Sequence, residues 1–216
     1  DPPMLGAIWN SVRVAVPVAL LSVAVGTTNA FLLERHEFPA KALLSTMMLW
    51  PLVIPGVILG ISILSLASAA ANRMEEGLGI ELDALRPGLL LIVLGQFSFI
   101  VSIATLVIAA RLRKLDPSLE EAAHNLGAGR IRVLRTITLP FLAPALIGSG
   151  LVGFLMSFEN FNTTLMLVGS EAPLPIHMYG QMREGATPAV NAVSLLLMGL
   201  TGAAATLFAL LSSRTR

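Results

Sequence analysis

The sequence predicts an all-helical bundle embedded in a membrane, and three observations carry that prediction. Hydrophobic residues make up 55% of the 216-residue chain and charged residues only 12%, where a soluble domain carries about 25% charge. Mean hydropathy is +0.81. Five stretches, residues 14–33, 42–71, 87–110, 136–158 and 185–213, contain no Asp, Glu, Lys or Arg, and a helix crossing the hydrocarbon core needs roughly 20 such residues. Barrel strands would alternate apolar and polar residues over about 10 positions, whereas these runs are apolar throughout.

Taken in order, the run at 14–33 follows Arg13, which fits an interfacial residue that snorkels toward water. The runs at 42–71 and 185–213 exceed one crossing and are expected to tilt or to extend past the lipid. Pro51 and Pro55 are expected to kink the first of these. Within 136–158, Gly148, Gly150 and Gly153 permit close helix packing, and Pro144, with Pro51 and Pro55, supplies bends for a gate. Five spans place the termini on opposite sides, and the side richer in Lys and Arg is cytoplasmic. Arg35, Lys41, Arg111, Arg113, Lys114, Arg130, Arg132, Arg135, Arg214 and Arg216 all fall on one side, ten of the 14 such residues. The N-terminus is therefore expected outside and the C-terminus inside.

Several functions drop out. A net charge of +1 does not suit nucleic acid, and the absence of cysteine removes disulfides, thiolate metal sites and a cysteine nucleophile. Lys41 and Lys114 are the only lysines, and neither follows the glycine spacing of a phosphate-binding loop, so this chain is not expected to hydrolyse ATP. His36, His124 and His177 fall on three separate connections, which argues against a histidine metal site. No His or Lys neighbours a span serine at helical spacing, which leaves a membrane enzyme without a catalytic set. The chain opens Asp1-Pro2-Pro3, without an initiator Met or a basic leader, and reads as the trimmed part of a longer polypeptide.

Two segments carry chemistry. Residues 115–127 read as a short, punctuated helix. Asp116 is the N-cap, Pro117 suits the first turn, Glu120 and Glu121 lie near the positive end of the dipole, and Gly127 ends it. Leu119, Ala122, Ala123 and Leu126 share one apolar face. Arg130, Arg132 and Arg135 then alternate with apolar residues until Pro140 closes the segment. Such a basic amphipathic loop either only sets topology at the membrane surface or offers its face to a groove. The second segment runs from Ser157 through Glu159, Asn160, Asn162, Thr163 and Thr164. A carboxylate among amides is expensive in lipid. It belongs to a translocation path, to interhelical hydrogen bonding, or to a span that ends at Phe158. Trp50, Phe97 and Phe99 are aromatic candidates for the lining of a path.

Glu121-Ala122-Ala123, Gly127, Ile137, Leu139 and Pro140 together give the pattern EAA-x3-G-x9-I-x-L-P. This resembles the EAA loop of permease subunits of binding-protein-dependent ABC importers with the type I fold. Asn10-Ser11, the stretch 49–55, Leu174-Pro175 and the stretch 187–192 extend the resemblance over the whole chain. It implies one permease domain across residues 1–216 with a coupling loop at 111–140, whose helix at 117–127 docks in a groove of the ATP-binding subunit. Glu121 would make a polar contact there, Ala122, Ala123 and Gly127 would allow close approach, and Leu126 and Pro140 complete the coupling set. The implied partners are a dimer of ABC ATPases, a second permease subunit, a periplasmic solute-binding protein and the lipid of a bacterial inner membrane. ATP and Mg would be bound by the ATPase, with no cofactor in this chain. Such subunits usually have six helices and start in the cytoplasm, so a span is expected before Asp1.

The polyamine-type subgroup is the nearest in character, but where it shows two adjacent acids this chain has Glu159-Asn160. Opines, amino-acid derivatives and other organic cations therefore stay open as cargo. An ion-coupled secondary transporter is the competing function; it would call for paired broken helices in two halves.

Overall fold

The computed structural model describes residues 2–79 and 83–185 and isolated positions between 192 and 206. The run at 185–213 and the stretch 187–192 lie almost wholly outside the described residues. Every regular element among those described is helical. Residues 2–174 form one compact unit, and the rest of the chain belongs to a second.

Helix α1 spans Pro2–Arg35, twelve residues earlier than the apolar run suggested. At 1.5 Å per residue its 34 residues reach about 51 Å, more than the bilayer core. A charge marks where lipid ends, not where a helix ends, so Arg13 lies inside α1. Asn10 and Ser11, expected to open a span, also sit within it.

The run at 42–71 is broken rather than kinked. It forms α2 (Lys41–Met47), α3 (Trp50–Val53) and α4 (Gly56–Leu78). Pro51 sits in the first turn of α3, where its missing N–H costs nothing. Pro55 holds the preceding Ile54 extended, at φ −74 and ψ 128, because its ring crowds the helical conformation of its neighbour. Only α4 in this run is long enough to cross; the other helices of crossing length among the described residues are those at Pro3–Arg35, Leu89–Leu112 and Arg130–Phe158.

Helix α5 (Leu89–Leu112) is the centre of the unit, with buried residues from Leu91 to Leu112 around its circumference. That fits a helix that is apolar on all faces. Against α1 the approach is close enough to require glycine: a Cβ on Gly26 would lie 3.0 Å from both Ala104 Cβ and the Thr105 nitrogen. Gly153 comes similarly near Ile100, at 3.2 Å. Val14, Val18, Ala67, Leu91, Ile92, Ile100 and Leu167 fill one end of the core, and Ala30, Ile108, Leu112, Leu115 and Leu142 the other. Within lipid such contacts hold helices by packing and not by exclusion of water.

Short helix α6 (Pro117–Asn125) precedes α7 (Arg130–Val133), a π-helical turn (Leu134–Thr138) and α8 (Leu139–Phe158). The last three run as one helical rod, Arg130–Phe158. Pro140 therefore does not close the loop as expected; it lies in the first turn of α8. A proline cannot donate to the carbonyl four residues back and crowds it. The wider π turn just before Pro140 relieves both problems. Helix α9 (Asn162–Leu167) packs on α4 and α5. Helix α10 (Leu174–Glu184), which lies in the second unit from Pro175 onward, carries His177 bonded to Gln181 at 3.2 Å.

Polar contacts tie the unit at both ends. Arg13, expected to snorkel, pairs with Glu171 at 3.3 Å, and Ser11 Oγ accepts the Leu174 N–H at 2.9 Å. At the other end Arg113 meets Glu34 at 2.9 Å, while Arg111 donates to the Phe141 carbonyl and lies 4.2 Å over its ring. Leu5, Trp9, Leu20, Leu66 and Ile147 remain exposed on the flanks, a surface that suits lipid or another apolar subunit.

Candidate functional site

Helix α6 is built from local chemistry. Asp116 is extended at φ −67 and ψ 118, and its Oδ1 accepts the Ser118 N–H at 2.9 Å. The backbone N–H and the hydroxyl of Ser118 together hold the Asp116 carboxyl below the usual carboxylate range. At the other end the Ala128 N–H bonds the Ala123 carbonyl at 3.0 Å and the Gly127 N–H bonds that of His124 at 2.9 Å. This is a Schellman closure. It requires a left-handed residue, and Gly127 has φ +84.

No residue of α6 is buried. Leu126 is 89% exposed and Leu119 53%; Glu121 and Ala122 are exposed and Ala123 is half-buried. The apolar face thus points away from the chain's own core. Gly127 has no atom within 4 Å of an added Cβ, so within this chain its role is conformational and not one of close packing.

Glu120 was missed as anything but a dipole residue. Its side chain is 20% exposed, pairs with Arg35 at 3.1 Å and accepts the Thr138 hydroxyl at 2.6 Å. Successive residues lie about 100° apart around a helix, so Glu120 faces the bundle while Glu121 faces out. Nothing in the local sequence separates the two.

The polar segment divides. Asn160 and Thr163 are joined to the helices, and Thr164 lies at the centre of a buried network. Gln96 Nε2 donates to Thr164 Oγ1 at 2.8 Å, Ser157 donates to Gln96 Oε1, and Asn160 Oδ1 accepts the Thr164 N–H and hydroxyl. Thr163 donates to the Gly56 carbonyl at 3.3 Å. Helix α8 ends at Phe158, and Glu159 is exposed at its C-cap. Gln96 went unnoticed in the sequence, although it is the one amide in the run at 87–110.

Beside this network lies a cavity of about 440 Å³, lined by Asn160, Asn162, Thr163, Phe99, Met156 and residues of the α3–α4 turn. Glu159 and Trp50 are not part of its lining. A second cavity of about 240 Å³ borders Glu34, Lys41, Ser102, Thr105 and Arg113. The two follow α5 from Phe99 to Ala109, about 15 Å of helix.

Residues 22–216 match the family described as binding-protein-dependent transport system inner membrane component. The chain belongs to this family of ABC importer permeases. The permease is 34% identical over 204 residues to the putrescine transport system permease protein PotI of Escherichia coli K12, covering 94% of this chain and 70% of that one. It is 29% identical to the spermidine/putrescine transport system permease protein PotC of Haemophilus influenzae, over 92% and 72% of the two chains. It is 33% identical to the molybdenum transport system permease protein ModB of Escherichia coli K12, over 82% and 79%. A chain in the crystal structure of an amino acid ABC transporter with histidines superposes with a TM-score of 0.65, covering 99% of the permease and 94% of itself, at 16% identity. The permease therefore has the type I ABC importer fold.

Proposed function

We propose that this permease passes a small organic cation of the polyamine class from a periplasmic binding protein to the cytoplasm, by alternating access driven by ATP hydrolysis on partner subunits. The observation that carries the cargo class is the 440 Å³ cavity, whose lining holds the Asn162 amide and the Thr163 hydroxyl, beside Phe99 and Asn160, and no Lys, Arg or His. Amide and hydroxyl oxygens accept from ammonium groups, and an aromatic face attracts cations. Percentage identity alone does not choose a cargo, since it is 33% over 186 residues to the molybdenum-type relative and 34% over 204 residues to the putrescine-type one. An anion would call for basic groups or converging N–H donors, and the lining favours the cation.

Glu159 adds to this. A carboxylate at a helix C-terminus sits at the negative end of the dipole, and Glu159 caps α8 next to Asn160. An approaching cation relieves that repulsion without a buried pair that would trap it.

The coupling helix α6 offers Leu119, Ala122, Ala123 and Leu126 to a groove of the ATPase, with Glu121 as the polar contact. Its end of the bundle is cytoplasmic, because the Lys and Arg residues gather there. The exposed apolar flanks face lipid and a second permease subunit. Chemistry stays on the ATPase, which binds ATP and Mg, and the permease supplies the path.

Uptake of labelled putrescine by cells carrying the complete transporter tests the cargo. Unlabelled spermidine should compete and molybdate should not. Competition by molybdate, with none by spermidine, overturns the reading.

A further inference from the structure

We propose that Glu120, one residue before the EAA pattern, is the positioning residue that transmits movement of the coupling helix into the membrane, through one carboxylate shared by Arg35 and Thr138. The inference deepens the proposed docking of α6 on the ATPase and rests on it.

Helix α6 buries no residue of its own against the bundle. An apolar face would let it slide or lift, since packing contacts are numerous and weak. What fixes it is polar: Glu120 Oε2 lies 3.1 Å from Arg35 Nη2, and Glu120 Oε1 accepts the Thr138 hydroxyl at 2.6 Å. Arg35 is the last residue of α1 and Thr138 the last of the π turn that leads into α8. One side chain thereby joins the coupling helix to two transmembrane helices that run the depth of the unit.

The surroundings make this joint stiff. Arg35 and Glu120 are 22% and 20% exposed and Thr138 is buried, so water screens the pair weakly. Arg35 Nε and Nη2 are both buried without a hydrogen-bond partner, so Glu120 holds Arg35 as an ion across 3.1 Å and not through a directed hydrogen bond. Opposite charges at this depth are costly to separate, because each is then left half-buried and unpaired. The π turn at Leu134–Thr138 is the compliant element beside the stiff one, as single π turns within α-helices often are at working sites. A push on α6 then reaches α1 directly through Arg35 and reaches α8 through Thr138 at the turn that can rewind.

The test uses the complete reconstituted transporter and measures transport per ATP hydrolysed. Glu120→Gln keeps an acceptor for Thr138 and removes the ion pair. Thr138→Val removes the other arm. Each should lower transport per ATP at least about fivefold, the lower end of coupling between distant sites. Exchange of the charges, Arg35→Glu with Glu120→Arg, restores the ion pair but not the acceptor for Thr138, and should recover only the part of the loss that the pair carries. Because the chain has no cysteine, spin labels on Asn125→Cys, exposed on α6 and outside its docking face, and on Leu32→Cys report the distance between α6 and α1. In the otherwise unchanged protein this distance should stay fixed between nucleotide-free and ATP-bound states, and in Glu120→Gln it should change.

Unchanged transport per ATP in Glu120→Gln, together with a fixed label distance, overturns the joint while leaving docking intact. Docking has its own arm: Leu126→Asp should release the ATPase during purification. Retention of the ATPase by that variant would remove the docking reading and the joint with it.

Discussion

Gln96 and Thr164, 68 residues apart in sequence, meet through a 2.8 Å hydrogen bond between buried side chains. Ser157 completes the set by donating to the other end of the same amide. The bond fixes α9 on the central helix and so fixes one wall of the cavity that Asn160 and Thr163 line.

Removing the amide should therefore loosen the wall. Gln96→Leu leaves the Ser157 hydroxyl without its acceptor and takes one of two bonds from the Thr164 hydroxyl, and each interhelical hydrogen bond in a membrane protein is worth about 0.6–2 kcal/mol. The purified complex should melt at a lower temperature, with a smaller loss for Gln96→Glu at low pH, where the protonated acid can both donate and accept. An unchanged melting temperature for Gln96→Leu would show the network to be incidental.

Glu159 is exposed, so its variants should assemble. Its neighbours Asn160, Thr163 and Thr164 are held in bonds that do not involve Glu159. Both Glu159→Gln and Glu159→Leu should reach the membrane at normal yield and lower uptake of a cationic substrate about fivefold, the value of one unit charge at about 4 Å in water. Uptake at normal yield in both variants would remove Glu159 from the path.

Gly127 should tolerate only residues that accept a left-handed backbone. An L side chain at φ +84 costs roughly 1–2 kcal/mol. Gly127→Asn should be milder than Gly127→Ala, and Gly127→Val the worst, when transport is measured at equal expression. Equal transport by all three would show that the helix end carries no function.

The cap of α6 has a defined pH window. The Asp116 carboxyl is lowered by its bonds from Ser118, so its contribution is present above the unfolded aspartate value of about 3.9 and is lost as pH falls through the folded value. The mobility of a spin label at Leu119→Cys should be flat from about pH 5 to 8 and rise only in stronger acid. Asp116→Asn should abolish that acid step while keeping the cap. A step near neutral pH would refute the assignment.

Orientation is testable without purification. A reporter fused after Arg216 should be cytoplasmic and a tag near Glu76 should be cut by external protease in intact cells, because ten of the 14 positive residues lie on the assigned inner side.

What the sequence determined by itself is whatever local free energy decides. Lipid rejects charge residue by residue, so charge-free runs located α1, α4, α5 and α8. Caps involve neighbours within a few positions, so Asp116, Pro117 and Gly127 marked the ends of α6, and the fixed spacing of the EAA pattern marked the family. Tertiary structure decided the rest. Charges bound the lipid but not the helix, so the start of α1 at Pro2 and the passage of α8 through Pro140 were not written in hydropathy. Of two adjacent glutamates, the one that turns inward was set by where α1 ends and where the π turn brings Thr138. The polar segment after Ser157 became a hydrogen-bonded wall instead of a row of free groups because Gln96 arrived from 61 residues away, and a partner at that distance is chosen by packing, which no local pattern records.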